Sequence, residues 1–220
     1  MGLGDRMPTK GEKTRQRLLD IAMARFERDG FAGTSMRAIA TEADVSVGLA
    51  YGYFEAKEFI VLAFYEQVAR DLASRTIEGH SVGARFGSVM RTNFEMLAHR
   101  RRAMSAVIAA MLDPEGPVGV LSPATAELRA LTQSTFRQAV EGASGVPPEL
   151  VEPLVRISWM GHLLLMLAWV QRPGAAEGLV DKVASALEMA QPFLGMPMVA
   201  QAVVAAADSM AEFLEPPPSP

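Results

Sequence analysis

Two helix-start signals stand close together near the amino end of this 220-residue chain. Thr34 precedes Met36, Ile39, Ala40 and Ala43 at helical spacing, and after the link Asp44-Val45 the signal is repeated by Ser46, ahead of Val47 to Tyr53. Helices of about two turns do not stand alone in water, so such a pair needs bracing. The flanks supply it. Leu18, Leu19, Ala22 and Phe26 recur at helical spacing between Lys10 and Asp29, with Gly30 as a C-cap. From Ala56, the residues Phe59, Ile60, Ala63, Phe64, Val68 and Leu72 form an apolar stripe that ends near Gly79. Two short helices joined by a tight turn between longer ones make a helix-turn-helix layout, whose second helix can enter a major groove.

The rest of the chain is also helical in pattern, with no sustained alternation of the kind a strand needs. Helices are expected near 82–98, 100–112, 123–143, 148–172, 177–194 and 198–214, separated by Asp113 to Pro117, Gly142 to Pro148, Arg172-Pro173-Gly174, Pro192 and Gly195-Met196-Pro197. The fold class is therefore all-α. A three-helix DNA-binding domain at 1–55 is followed by a larger helical ligand-binding and dimerisation domain at 56–215, and the proline-rich residues 216–220 read as a disordered tail.

Composition narrows the functions. At 50% hydrophobic and 21% charged residues the chain is soluble and globular, with no cysteine for a disulfide, a thiolate metal site or a nucleophile, and only 3 histidines. No metal site, no cofactor and no catalytic motif is expected: there is no phosphate loop, no nucleophile elbow and no paired carboxylates in an apolar run. The net charge of −4 argues against a general polyanion binder. The basic excess is local, with Arg6, Lys10, Lys13, Arg15 and Arg17 against Asp5 and Glu12 in the first seventeen residues, and 12 basic against 16 acidic residues over 61–220. The amino end has no apolar run for a signal or anchor, and the most apolar stretch, Trp159 to Val170, is broken by Gly161 and His162 and falls short of the roughly 20 residues of a membrane span. No membrane partner is expected, and a reducing cytoplasm fits the composition.

Ser35 to Phe54, read as SMRAIATEADVSVGLAYGYF and followed by EAKE, resembles the TetR family of bacterial transcriptional regulators, as does the upstream stretch RLLDIAMARFERDGFAGTS. The resemblance is specific over about 12–65, where Phe26, Gly30-Phe31, Thr34, Ile39-Ala40, Val45-Ser46, Gly48, Tyr51, Phe54 and Lys57-Glu58 stand in family register. It implies DNA contacts from Thr34, Ser35, Arg37, Ser46, Val47, Gly48, Leu49, Tyr51, Gly52, Tyr53 and Lys57. Thr34 and Ser46 would cap helices whose N-terminal ends suit phosphate oxygens, and the heads of Tyr51, Tyr53 and Lys57 would reach the DNA backbone. Arg37 faces phosphate, a base edge or only solvent; Tyr53 belongs to the DNA face or to the core; Gly48 is small for helix packing or for close approach to a groove. Phe26, Phe31, Ile39, Val45, Ala50 and Phe54 form the expected small core.

The chain departs from the family where many members have Thr then Leu, having Leu49 then Ala50, and where His or Arg often follows the tyrosine, having Gly52. Val47, Gly48, Leu49 and Ala50 offer no side-chain donor, so base readout must rest on thymine methyls, Arg37 and DNA shape. Ala56 replaces the usual Ser before Lys57, removing a cap worth about 1 kcal/mol unless Glu55 or a phosphate substitutes.

In the second half, flexible methionines and aromatics recur on helical faces. Core packing explains any one of them, whereas the family's habit of binding small inducers between these helices implies a pocket lined by Met90, Phe94, Met104, Met111, Phe136, Trp159, His162 and Met166, with His99 a further polar candidate. Such walls suit a hydrophobic small-molecule effector. The helix over 148–172 is apolar almost all round, from Trp159 through Leu163 and Leu165 to Val170, and needs more than one partner face. A homodimer through Leu164, Leu167 and Trp169, with help from the helix over 177–194, would match a palindromic DNA operator. Arg100-Arg101-Arg102 reads as a solvated or salt-bridged corner. The reading is thus a ligand-responsive repressor; the rival is a helical lipid- or small-molecule-binding protein or enzyme with no DNA partner.

Overall fold

A computed structural model describes residues 7, 9–113 and 116–214; the tail over 216–220 and Arg6 of the basic cluster lie outside the described residues. Among the described residues all regular structure is helical: α1 (Lys10–Asp29), α2 (Met36–Glu42), α3 (Val47–Tyr53), α4 (Lys57–Ala73), α5 (Val82–Leu97), α6 (Arg101–Leu112), α7 (Ala126–Glu141), α8 (Val151–Gln171), α9 (Pro173–Ala190) and α10 (Pro197–Leu214).

The head is α1 to α3. Thr9 and Glu12 form a reciprocal capping box on α1, and Ser35 and Ser46 cap α2 and α3 by accepting from the amides of Ala38 at 3.2 Å and Leu49 at 3.1 Å. Thr34, the expected cap of α2, stands one residue too early. It is buried and its hydroxyl donates back to the Gly30 carbonyl at 2.9 Å. The turn into α3 runs through Asp44 at φ 50°, a left-handed position that Asp tolerates better than most side chains. Phe26, Ile39, Ala50 and Phe54 are buried, with Phe31 and Val45 packed against them, as the spacing suggested.

α4 joins head to body. It carries Ile60, Val61, Phe64, Val68 and Leu72 into one hydrophobic core that runs from Leu18 in the head to Trp159 and Trp169 in the body. The helix stops at Ala73 rather than near Gly79: the Ser74 hydroxyl donates to the Asp71 carbonyl at 2.7 Å and the Arg75 amide to the Leu72 carbonyl at 3.0 Å, tightening the last turn, and beyond it Arg85 of α5 holds the Ile77 and Gly79 carbonyls at 3.0 and 3.3 Å. Gly79 has φ 101° and lies where a Cβ would meet that of Ala84 at 2.6 Å, so only glycine fits.

In the body α8 is central, flanked by α7, α9 and α10, while α5 packs on α7 and α9. α8 with its leading turn, Pro148–Gln171, is long and apolar enough to cross a bilayer, but its apolar surface is taken up largely by its neighbours. α9 begins at Pro173 rather than near 177: proline at a first helical position needs no N–H partner, so the residue that breaks α8 starts α9. A second, smaller cluster of Val82, Val140, Leu150, Leu154 and Leu194 fastens α10 to the bundle.

Candidate DNA-reading head and effector cavity

On α3, Gly48, Leu49, Tyr51 and Gly52 are exposed and Val47 half-buried, while Ala50 is fully enclosed. A Cβ added at Gly48 or at Gly52 would meet nothing within 4 Å. Packing inside the chain therefore does not require either glycine, and the helix backbone there is open to an approaching surface. Leu49 is 46% exposed and Tyr51 49%, large apolar faces held out beside the glycines. Arg37 is exposed on α2, with no side-chain partner among the described residues.

Three expected contact residues sit differently. Thr34 is 2% exposed with its hydroxyl engaged, so it has no face to offer. Lys57 turns inward: its ammonium donates to the carbonyls of Phe31 at 2.8 Å and Thr34 at 3.3 Å and rests 4.1 Å from the centre of the Phe31 ring. It therefore clamps the turn between α1 and α2, using two of its three donors. Tyr53 is half-buried and leans on α1, where a Cβ at Gly11 would stand 3.5 Å from its hydroxyl. Ala56 leaves the first turn of α4 without a side-chain cap.

Ion pairs fix α1 against α2. Arg25 meets Glu42 at 2.6 Å and Asp29 at 3.2 Å, and Arg28 meets Asp29 at 2.9 Å. The Arg28 guanidinium holds the Asp29 carboxyl below its ordinary range, as Arg25 does for Glu42, so this brace is intact at neutral pH and weakens as pH falls through those lowered values.

In the body, α4, α6 and α8 enclose a cavity of about 220 Å³ lined by Tyr65, Met104, Val107, Ile108, Met111, Leu112, Val120, Met160, Leu163, Leu164, Met166 and Leu167. Of the expected pocket residues, Met104, Met111 and Met166 line it. Phe136 and His162 line a smaller compartment next to it, and the others lie elsewhere. Met90 is wholly buried in the core. Trp159 is buried with its indole N–H donating to Thr132 at 3.2 Å. Phe94 stacks on Trp169 with centroids 5.4 Å apart. That stack corrects the dimer expectation too, since Trp169 is 2% exposed and its ring is spoken for within its own chain. Leu164 and Leu167, also expected between subunits, lie at the cavity rim and remain 65% and 36% exposed. His99 is exposed on a short turn away from the cavity.

The cavity's hydroxyl comes from Tyr65, overlooked because α4 reads as a core stripe. Its signal was available: it is the tyrosine that directly follows the apolar run Ile60 to Phe64. The α6 wall was legible as Met104, Ile108 and Met111, a spacing that places all three on one helical face.

Two connections join cavity to head. α4 runs from the Lys57 clamp to Tyr65 in the cavity wall. The Glu27 carboxylate of α1 accepts from the Ala103 amide at 2.9 Å, so it caps the first turn of α6, and Arg102 donates to the Arg28 carbonyl at 3.3 Å. The other arginines of that run are similarly engaged, Arg101 with the Val170 carbonyl at 2.7 Å and Arg100 over the Phe64 ring.

Residues 18–64 match the family described as bacterial regulatory proteins, tetR family. The chain is 27% identical over 183 residues to the HTH-type transcriptional repressor KstR of Mycobacterium tuberculosis, covering 80% of this chain and 79% of that protein. Over residues 18–64 the chain thus carries the TetR-family DNA-binding segment. The chain is also similar to the HTH-type transcriptional regulator UidR of Escherichia coli, 30% identical over 115 residues, of whose length the match spans 59%. Solved TetR-family structures share the fold across both halves: a regulator from Streptomyces coelicolor superposes with a TM-score of 0.60 at 19% identity over 97% of this chain and 94% of its own. Thermus thermophilus FadR, a TetR-family repressor solved in complex with lauroyl-CoA, gives 0.58 at 20% identity over 83% and 94%. The protein is a DNA-binding transcriptional regulator and not an enzyme.

Proposed function

We propose that the protein is a repressor that holds a palindromic operator as a homodimer and releases it when a hydrophobic small molecule fills the cavity between α4, α6 and α8. The observation that carries this reading is the attachment of the cavity walls to the head. α6, which supplies Met104, Val107, Ile108 and Met111, begins on the Glu27 carboxylate of α1, and α4 passes directly from Lys57 to Tyr65. A ligand shifts an equilibrium only by its differential affinity for two states. One that wedges α6 from α4 favours the state in which α1 and α3 have moved. The repressor named among the relatives and the acyl ligand of the FadR structure support the class of the reading.

DNA contacts fall to α3 and its surroundings. Leu49 and Val47 suit thymine methyls, Arg37 a base edge or phosphate, and the exposed Ser35, Ser46 and Tyr51 suit phosphate oxygens, with Gly48 and Gly52 letting the backbone approach. Tyr53 and Lys57 then act by setting the angle of α3 and α4. The second copy would cover the exposed apolar residues of the body, among them Leu179, Met189 and Phe193 on and after α9 together with Leu164 on α8.

Selection of bound fragments from genomic DNA, followed by sizing of the complex on a selected site, tests the proposal. Enriched sites with inverted symmetry, each holding two chains or a multiple of two, are expected. Retention of no fragment above background at low salt contradicts it, as does a protein that remains monomeric at micromolar concentration.

A further inference from the structure

Beside the large cavity lies a compartment of about 10 Å³, room for about one water, in which Tyr65, Asn93, Phe136 and His162 meet. Tyr65 lines both spaces, and Met166, which lines the large one, accepts from Asn93 Nδ2 at 3.4 Å. These two side chains are the partition. Behind it His162 Nε2 lies 3.0 Å from the Tyr65 hydroxyl and 3.3 Å from Asn93 Nδ2. Among the described residues His162 Nδ1 and Asn93 Oδ1 find no partner, though their side chains are only 2% and 1% exposed. The neighbouring threonines do not serve them, since Thr132 donates to the Leu128 carbonyl at 2.9 Å and Thr135 to that of Leu131 at 3.3 Å.

The unpaired atoms specify a chemistry. Burial pushes the His162 imidazolium pKa down to about 4, so at neutral pH the ring has one N–H and one bare nitrogen. With Nε2 accepting from Tyr65 and Asn93, Nδ1–H is an unpaired donor and Asn93 Oδ1 an unpaired acceptor. Turning both tautomer and amide round exchanges the labels and still leaves one of each. A hydroxyl both donates and accepts. An ether or ester oxygen only accepts, and a carboxylate accepts while bringing a charge into compartments whose lining includes no Lys, Arg, Asp or Glu.

We propose that the effector is an uncharged hydrophobic alcohol or phenol whose apolar body occupies the large cavity and whose hydroxyl passes between Tyr65 and Met166 to bond His162 and Asn93. The assignment rests on the cavity being the effector site and adds the headgroup to it.

Calorimetric titration of the full chain at pH 7 with 1-octanol, its isomer 1-methoxyheptane and octanoate separates the possibilities. Octanol is expected to bind about tenfold more tightly than the isomeric ether, the scale of one to two hydrogen bonds to otherwise unserved buried groups, and octanoate more weakly than octanol. Asn93→Leu and His162→Phe should each bring the octanol-to-ether ratio towards one and leave ether binding unchanged, which also reports an intact cavity; the wild-type comparison stands if either variant fails to fold. Equal binding of octanol and ether to the wild type, as a water retained in the compartment would give, overturns the headgroup assignment and leaves the cavity as the effector site. Tighter binding of octanoate, or a ratio that persists in both variants, overturns it as well. Binding of neither octanol nor ether overturns the effector cavity and this assignment together.

Discussion

Replacing Gly48 and Gly52 together by alanine is expected to stabilise the protein while weakening operator binding at least tenfold. Both glycines lie within α3, where each costs about 0.5–1 kcal/mol relative to alanine through backbone entropy. An added methyl meets no atom of the chain within 4 Å at either position, so nothing internal opposes the gain. The pair should raise the melting temperature by a few degrees, at about 2–4 °C per kcal/mol for a chain of this size. On DNA the sign reverses. Gly48 and Gly52 are four residues apart and so share a helix face; if that face enters the groove, two methyls push the backbone away from the base edges that Leu49 and Val47 would touch. Thermal melts beside fluorescence anisotropy on a selected operator check both halves. A stabilised variant with undiminished affinity would mean that another surface reads the DNA.

The second large effect is on stability in acid. His162 is enclosed by Tyr65 of α4, Asn93 of α5, Phe136 of α7 and its own α8, with no charged side chain among its contacts. Its imidazolium pKa falls from 6.5 to about 4 through burial alone. Between those values the unfolded chain binds a proton that the folded chain refuses, so stability falls as pH is lowered through 6.5 and levels off near 4. At about 1.4 kcal/mol per unit the loss comes to about 3 kcal/mol, a large share of the stability of an ordinary domain. His162→Phe should remove that component, leaving the weaker decline from Asp29 and Glu42, whose lowered carboxyl pKa values act at more acidic pH. Urea titrations of both proteins at intervals from pH 7 to 4 are the check. Parallel curves would show that the ring is not held neutral in the folded state.

Helix positions in the head were legible because each start is written in a short polar residue. Even there Ser35 rather than Thr34 took the cap, a choice between adjacent hydroxyls that depends on where the Gly30 turn leaves the chain. The end of α4 was not legible, because it is closed by local bonds of Ser74 and Arg75 to the Asp71 and Leu72 carbonyls, and a serine there carries no stop signal that the sequence alone reveals. α8 resisted for another reason. A helix apolar on every side carries no periodic label saying which face meets which neighbour. Trp159 and Trp169 were thus assigned to a pocket and an interface but fill the core, whereas Leu163, Leu164 and Leu167 line the cavity. Tyr65, His162 and Asn93 come from α4, α8 and α5, so their meeting is a property of the packing that no local stretch of sequence contains.

The coupling of cavity to head is tested most directly by titrating 1-octanol into the protein bound to a labelled, selected operator and following anisotropy. The expected result is saturable release, with a midpoint that rises with protein–DNA affinity as linkage requires. Saturable binding of octanol to the protein with operator affinity unchanged would contradict the account.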